Sequence, residues 1–283
     1  MFNDIRNNPT VEDVKKIFGN KENAIEFLTT IGNLPFKELK STSPENIYNK
    51  ILESWDYDVI KSVVRHLAKR NKYSFDEFTK NSNKYIFIKE TIENEHLGNK
   101  DWAFNVIAYD KKLTSTIRKY DNFNEGLDKH ILEIKKNYLI KSYIICRSFL
   151  YEYFIVKHND NIIPTLSNNG ELDFYFNGNR LDLKNASSVT DNFKIDHGEK
   201  WMRDALNNPQ IVAKYLYENQ NENRFGSNPR IFIVELENKI QSIEDIENEC
   251  RNLNFGNPHK INFDYMINGE IKNYTTEALV VFV

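Results

Sequence analysis

The chain has 283 residues, 40% of them hydrophobic and 28% charged, with a formal net charge of −3. That length suits one large domain or two closely joined ones. The missing basic excess excludes a protein that coats nucleic acid through bulk charge, but not an enzyme with a local basic cleft.

The first half reads as helices. Thr10 caps a helix with Glu12 and Asp13 in its first turn, and Val14, Ile17 and Phe18 repeat at helical spacing. Ser43-Pro44-Glu45 starts another, with Ile47, Ile51 and Leu52 on one face. Ile60, Val63, Val64 and Leu67 continue the pattern, and Ser74-Phe75-Asp76-Glu77 opens a further helix. A long helix is predicted over residues 128–156, with Ile131, Ile134, Tyr138, Ile145, Phe149 and Tyr153 apolar.

After residue 160 the period changes. Ile162-Ile163 predicts a short strand, and residues 172–176 and 180–185 predict two more around Asn177-Gly178, a strong hairpin signal. A helix follows over 198–218, interrupted near Pro209, then a buried strand over 230–236 and a helix over 243–253. A second hairpin spans 261–274 with its turn at Asn268-Gly269, and a strand closes the chain over 278–283. The expected fold is α/β, a mixed central sheet flanked by helices, preceded by a mainly helical region. The expected division is residues 1–129 and 130–283.

The two cysteines, Cys146 and Cys250, have no Cys or His neighbour at zinc spacing and do not make a disulfide framework. Cys146 follows Tyr143-Ile144-Ile145 and reads as a buried small hydrophobe. The start, Met1-Phe2-Asn3-Asp4-Ile5-Arg6, lacks an apolar signal region, and no run of about 18 apolar residues occurs. A cytoplasmic location without a membrane partner is expected. No phosphate-binding Gly-Lys-Ser/Thr loop exists, so no nucleotide cofactor is expected.

The chemistry is concentrated in residues 170–184. A two-residue loop at Asn177-Gly178 sets Phe176 opposite Asn179, Tyr175 opposite Arg180, Asp173 opposite Asp182 and Glu171 opposite Lys184. Alternation then gives Glu171, Asp173, Tyr175, Arg180, Asp182 and Lys184 one face, and Leu172, Phe174, Leu181 and Leu183 the other. Like charges directly opposite destabilise a sheet, so Asp173 facing Asp182 asks for a cation between them. Hard divalent ions take carboxylate oxygens, and a lysine beside such an ion can position water and offset phosphate charge. These are the parts for metal-assisted phosphodiester hydrolysis.

The acid-any-lysine triplet alone carries no weight, because the chain also has Asp13-Val14-Lys15, Glu133-Ile134-Lys135 and Glu270-Ile271-Lys272. In the second hairpin the same count pairs Ile267 with Glu270 and Tyr265 with Lys272, which sends Asp264 to the opposite face. Only the first hairpin brings two acids and a lysine together.

Gly170-Glu171-Leu172-Asp173, a hairpin and Asp182-Leu183-Lys184 together resemble the PD-(D/E)XK nuclease superfamily, over residues 140–236. The resemblance implies a restriction-endonuclease-like core in which Asp173 and Asp182 bind metal and Lys184 is the catalytic lysine. It also implies the backbone carbonyl of Leu183 as a ligand, with Glu171 or Glu152, and more weakly Glu133, as a further acid. Asn185, Ser187 and Ser188, just after the lysine, are candidate nucleic-acid contacts. Leu172 stands where many members have Pro, and Gln210 and Tyr215 lack the spacing of RecB-like exonucleases.

The function expected is a Mg²⁺-dependent type II restriction endonuclease, with Mn²⁺ able to substitute, acting on double-stranded DNA as a homodimer. The helical region would help to read DNA. Alternatives are a repair or junction-resolving nuclease, an RNA-directed defence nuclease, or a nucleic-acid-binding module with a vestigial site. The six histidines are dispersed, and Lys69-Arg70-Asn71-Lys72 reads as a basic cluster on a solvated helix face.

Overall fold

A computed structural model describes residues 4–94, 123–167, 172–186, 191–219, 229–236, 242–267 and 270–283. Helix α1 (Val11–Phe18) begins at a reciprocal cap: the Thr10 hydroxyl accepts from the Asp13 N–H, and the Asp13 carboxylate accepts from the Thr10 N–H. Asn20 caps α2 (Lys21–Thr30), Ser43 caps α4 (Pro44–Glu53) and Asp56 caps α5 (Tyr57–Arg70); α3 (Phe36–Ser41) lies between α2 and α4. Each polar cap supplies an oxygen to N–H groups that the first turn leaves unpaired. Helix α6 covers Phe75–Asn94 and α7 covers Phe123–His158.

The strands are β1 (Ile162–Pro164), β2 (Phe174–Phe176), β3 (Asn179–Ala186), β4 (Arg230–Val234), β5 (His259–Ile267) and β6 (Glu270–Phe282). They form one mixed sheet in the order β1-β2-β3-β4-β6-β5. β2 runs antiparallel to both of its neighbours, β1 and β3; β3, β4 and β6 run parallel, and β5 returns antiparallel to β6. Parallel strands need crossovers. Between β3 and β4 run α8 (Asp191–His197), a short 3-10 turn (Gly198–Lys200), α9 (Trp201–Asn207) and α10 (Pro209–Glu218). Helix α11 (Ile243–Arg251) lies between β4 and β5.

Central β4 is a continuous buried run, Arg230 to Val234, as expected for a parallel strand covered on both faces. On one face Phe232 and Val234 pack with Val212, Ala213 and Tyr217 of α10 and with Ile261, Phe263 and Ala278. The mixed α/β class agrees with the sequence. The expected helix over 198–218 is broken at Asn208-Pro209 as anticipated, and α8 precedes it. β5 and β6 pair as the second hairpin requires, and β6 runs unbroken to Phe282 through the expected final strand; the Asn268-Gly269 turn lies outside the described residues.

The chain divides into two compact units, residues 1–77 with 152–283, and residues 78–151. The boundary read at 129/130 falls inside α7, whose helical period passes through that point without a break. Helices α1 to α5 therefore belong to the same unit as the sheet. Arg65 of α5 donates to the carbonyls of Asn159 (2.7 Å) and Ile162 (3.1 Å) at the corner between α7 and β1. The Leu166 N–H donates to the Ile17 carbonyl at the end of α1. Gly19 ends that helix with φ +73°, and a Cβ there would run into the Leu166 carbonyl.

In the unit of residues 78–151, Ile88 and Leu139 form a small buried cluster with Ile92 and Tyr143, and the Tyr85 and Tyr143 rings stack at 5.1 Å. Cys146 and Cys250 are both buried, and neither forms a disulfide. Among the described residues no helix is long and apolar enough to cross a membrane.

Candidate active site

The first hairpin has the register that its turn dictates: Phe176 opposite Asn179, Tyr175 opposite Arg180 and Phe174 opposite Leu181. Asn177 (φ 48°) and Gly178 (φ 81°) both take the left-handed conformation of the tight turn. Gly178 is required twice over, because a Cβ would also meet Asp4 and Arg6, whose neighbour Ile5 donates its N–H to the Gly178 carbonyl. Leu172, Phe174, Leu181 and Leu183 are all buried, so the apolar face is inside, as alternation demanded.

The polar face divides in two. Its outer half is closed by α1. The fully buried Asp13 carboxylate accepts from the Tyr175 hydroxyl (2.7 Å) and from Arg180 Nε (2.9 Å), with Arg180 Nη2 at 2.7 Å. Tyr175 and Arg180 thus belong to a structural lock between α1 and the hairpin.

The inner half stays available for chemistry. Regular β2 pairing stops at Phe174, and beyond it the N–H of Leu183 points out of the edge of β3. Asp173 Oδ2 accepts that N–H at 2.7 Å. The Asp182 N–H points the other way, to the Pro229 carbonyl at 3.0 Å. In an extended strand one residue's N–H and C=O leave by the same edge, so the Leu183 carbonyl also points to the Asp173 side. Lys184 Nζ lies 3.4 Å from Asp182 Oδ2, and Arg230 Nε lies 3.4 Å from the same oxygen. Arg230 reaches it because the parallel register sets Asp182 beside Arg230, and its guanidinium also lies over the Tyr217 ring.

Asp173 is the electrostatic centre. Burial, then the charge of Glu152, then that of Asp182 push its carboxyl up to about 7; the Leu183 N–H and Lys72 pull the other way. Glu152 comes from α7, where its Oε2 accepts from the Tyr73 hydroxyl (3.0 Å) and meets Lys72 Nζ (3.1 Å). Lys72 also donates to the Thr165 carbonyl at 3.4 Å. Burial and the neighbouring Glu152 raise the Tyr73 hydroxyl well above its ordinary value, which keeps it a donor.

The structure therefore brings Asp173, Asp182 and Lys184 together and adds Glu152 at electrostatic range. Glu171, Ser187 and Ser188 lie outside the described residues; Asn185 is described only as part of β3, and Glu133 only as part of α7. Sequence reasoning passed over Lys72, Tyr73 and Arg230. Lys72 was grouped with the solvated cluster of residues 69–72, and Arg230 opens an apolar strand, where only the parallel register reveals its partner.

In the second hairpin Ile267 faces Glu270, Tyr265 faces Lys272 and Asp264 faces Asn273, so its acids are divided between faces. Asp264 there accepts from the Asn273 amide at 2.9 Å.

Among the described residues no three His, Cys, Asp or Glu side chains gather closely enough to hold a metal ion. Asp173 and Asp182 are a donor pair, and Asp173 is raised by burial first, then by the charges of Glu152 and Asp182, all of which a bound cation would offset. That donor set suits one hard divalent ion completed by the Leu183 carbonyl and water. No protein-family model, curated protein or solved structure matches this chain.

Proposed function

We propose that the chain is a metal-dependent endonuclease of the PD-(D/E)XK kind, hydrolysing phosphodiesters of double-stranded DNA, most simply as a restriction enzyme. The observation that carries this reading is the Asp173 carboxylate on the Leu183 N–H, next in the chain to Asp182, with Lys184 Nζ 3.4 Å from Asp182 Oδ2. The order of a long helix, three antiparallel strands, helices and a parallel strand supports a restriction-endonuclease-like core, and Glu152 near the end of that helix acts on Asp173.

Bound Mg²⁺ or Mn²⁺ would supply Lewis-acid polarisation of the phosphate and of an attacking water. The chain's own residues divide the remaining work. Asp173 is held through Oδ2 by the Leu183 N–H and would give its other oxygen to the ion. Asp182 is steadied between Lys184 and Arg230. Lys184 would hold the attacking water and offset charge gathering on the phosphate. A homodimer is proposed because cutting both strands of a palindrome needs two sites related by a twofold axis.

Incubating the purified protein with supercoiled plasmid and Mg²⁺ tests the reading. Discrete fragments support a restriction enzyme, and a smear supports a nuclease without sequence preference. DNA binding without cutting in either Mg²⁺ or Mn²⁺ would reject the nuclease reading.

A further inference from the structure

We propose that Lys72 belongs to this site and that its ammonium takes the place of a second cation, so that the site holds one divalent ion between Asp173 and Asp182. The inference rests on the metal-dependent reading above and deepens it.

Three observations converge on Lys72. Its Nζ is 3.1 Å from Glu152 Oε2 and donates to the Thr165 carbonyl at 3.4 Å, so it is anchored from two elements. Its side chain is 21% exposed and that of Glu152 is 16% exposed, so the pair is sheltered rather than a solvated surface contact. It is also tied to Asp173 through Thr165, whose carbonyl accepts from Lys72 and whose N–H donates to the Asp173 carbonyl at 2.9 Å.

Glu152, the natural third ligand, is already engaged. The same Oε2 accepts from the Tyr73 hydroxyl at 3.0 Å and pairs with Lys72. These contacts, at 3.0 and 3.1 Å, hold Glu152 more closely than the 3.4 Å contacts of Lys184 and Arg230 hold Asp182. Glu152 is then the holder of Lys72 and not a ligand, which agrees with the lack of a three-acid cluster among the described residues.

Charge balance points the same way. Among the described residues Asp173, Asp182 and Glu152 are matched by Lys72, Lys184 and Arg230, so that set is neutral when ionised. One divalent ion and one phosphodiester leave a single positive charge, whereas a second ion would leave three in a half-buried opening. Desolvated excess charge of that size is strongly unfavourable.

The test is a calorimetric titration of Mn²⁺ into the chelator-treated full chain, with no DNA present. Wild type should bind one ion per chain, and so should Lys72→Arg. Lys72→Met removes the charge and frees Glu152; it should bind two ions, and the second should disappear when Glu152→Gln is added. Glu152→Gln alone should still bind one ion, and this arm decides the matter if Lys72→Met fails to fold. Two ions in wild type, one ion in folded Lys72→Met, or loss of the ion in Glu152→Gln would overturn the inference while leaving a metal site in place. A wild-type chain that binds no Mn²⁺ would remove the metal-dependent reading itself, and the role of Lys72 with it.

Discussion

Replacing Asp173 with Asn should stabilise the metal-free protein at alkaline pH. The folded carboxyl is raised from 3.8 to about 7 by burial and by the facing acids. A folded-state value above the unfolded one means that the native chain keeps a proton the unfolded chain has lost. The resulting stability is complete below about pH 4, declines as pH rises through about 7 and is gone above it. The interval corresponds to a ceiling of about 4 kcal/mol at 1.36 kcal/mol per pH unit. Solvent reaching the half-buried carboxylate lowers the expectation to about 2 kcal/mol. Asparagine has no charge to bury and keeps an oxygen for the Leu183 N–H. In a unit of this size about 2 kcal/mol moves Tm by roughly 4–8 °C. The assay is thermal melting of both proteins in chelator from pH 4 to pH 8.5. Asp173→Asn should gain on wild type as pH rises and level off above about pH 7. Mn²⁺ at pH 8 should then raise the wild-type Tm and leave the variant unmoved. A wild type that gains on Asp173→Asn with rising pH would refute the repulsion on which the site is built.

Two further outcomes concern the helices that join the sheet unit. Asp13→Ala should cost about 3 kcal/mol, because it removes the partner of a sheltered guanidinium and half of a reciprocal helix cap; chemical denaturation reads this directly, and a loss under about 0.5 kcal/mol would mean that the lock with Tyr175 and Arg180 is idle. Deleting residues 1–77 should leave residues 152–283 unable to fold, since it strips away α1 to α5; a truncated chain with a cooperative thermal transition would contradict that.

The hairpin was legible because strand alternation and an Asn-Gly turn leave one register. That register fixes which residues oppose one another, and it separated Asp182-Leu183-Lys184 from the look-alike at Glu270-Ile271-Lys272. Helix starts at Thr10 and Ser43 were legible for an equally local reason, a capping oxygen followed by acids. The surroundings of the site were not. Lys72 and Tyr73 are far in sequence from Glu152 and Asp173 and meet them through tertiary packing, which leaves no period to read. The same blindness split the helical half from the sheet: Asp13 looks like an ordinary cap residue until its second oxygen is found on Tyr175 and Arg180.

The most direct test of the central claim compares plasmid cleavage in Mg²⁺ by identically purified wild type, Asp182→Asn, Lys184→Ala, and the controls Glu270→Gln and Lys272→Ala. The account predicts that wild type and both controls cut, that chelator stops them, and that each first-hairpin variant is slower by on the order of 10²-fold or more. DNA binding should survive in those variants, because contacts elsewhere supply most of the affinity. Equal cutting by wild type and Lys184→Ala, or loss of cutting in the second-hairpin controls alone, would contradict it.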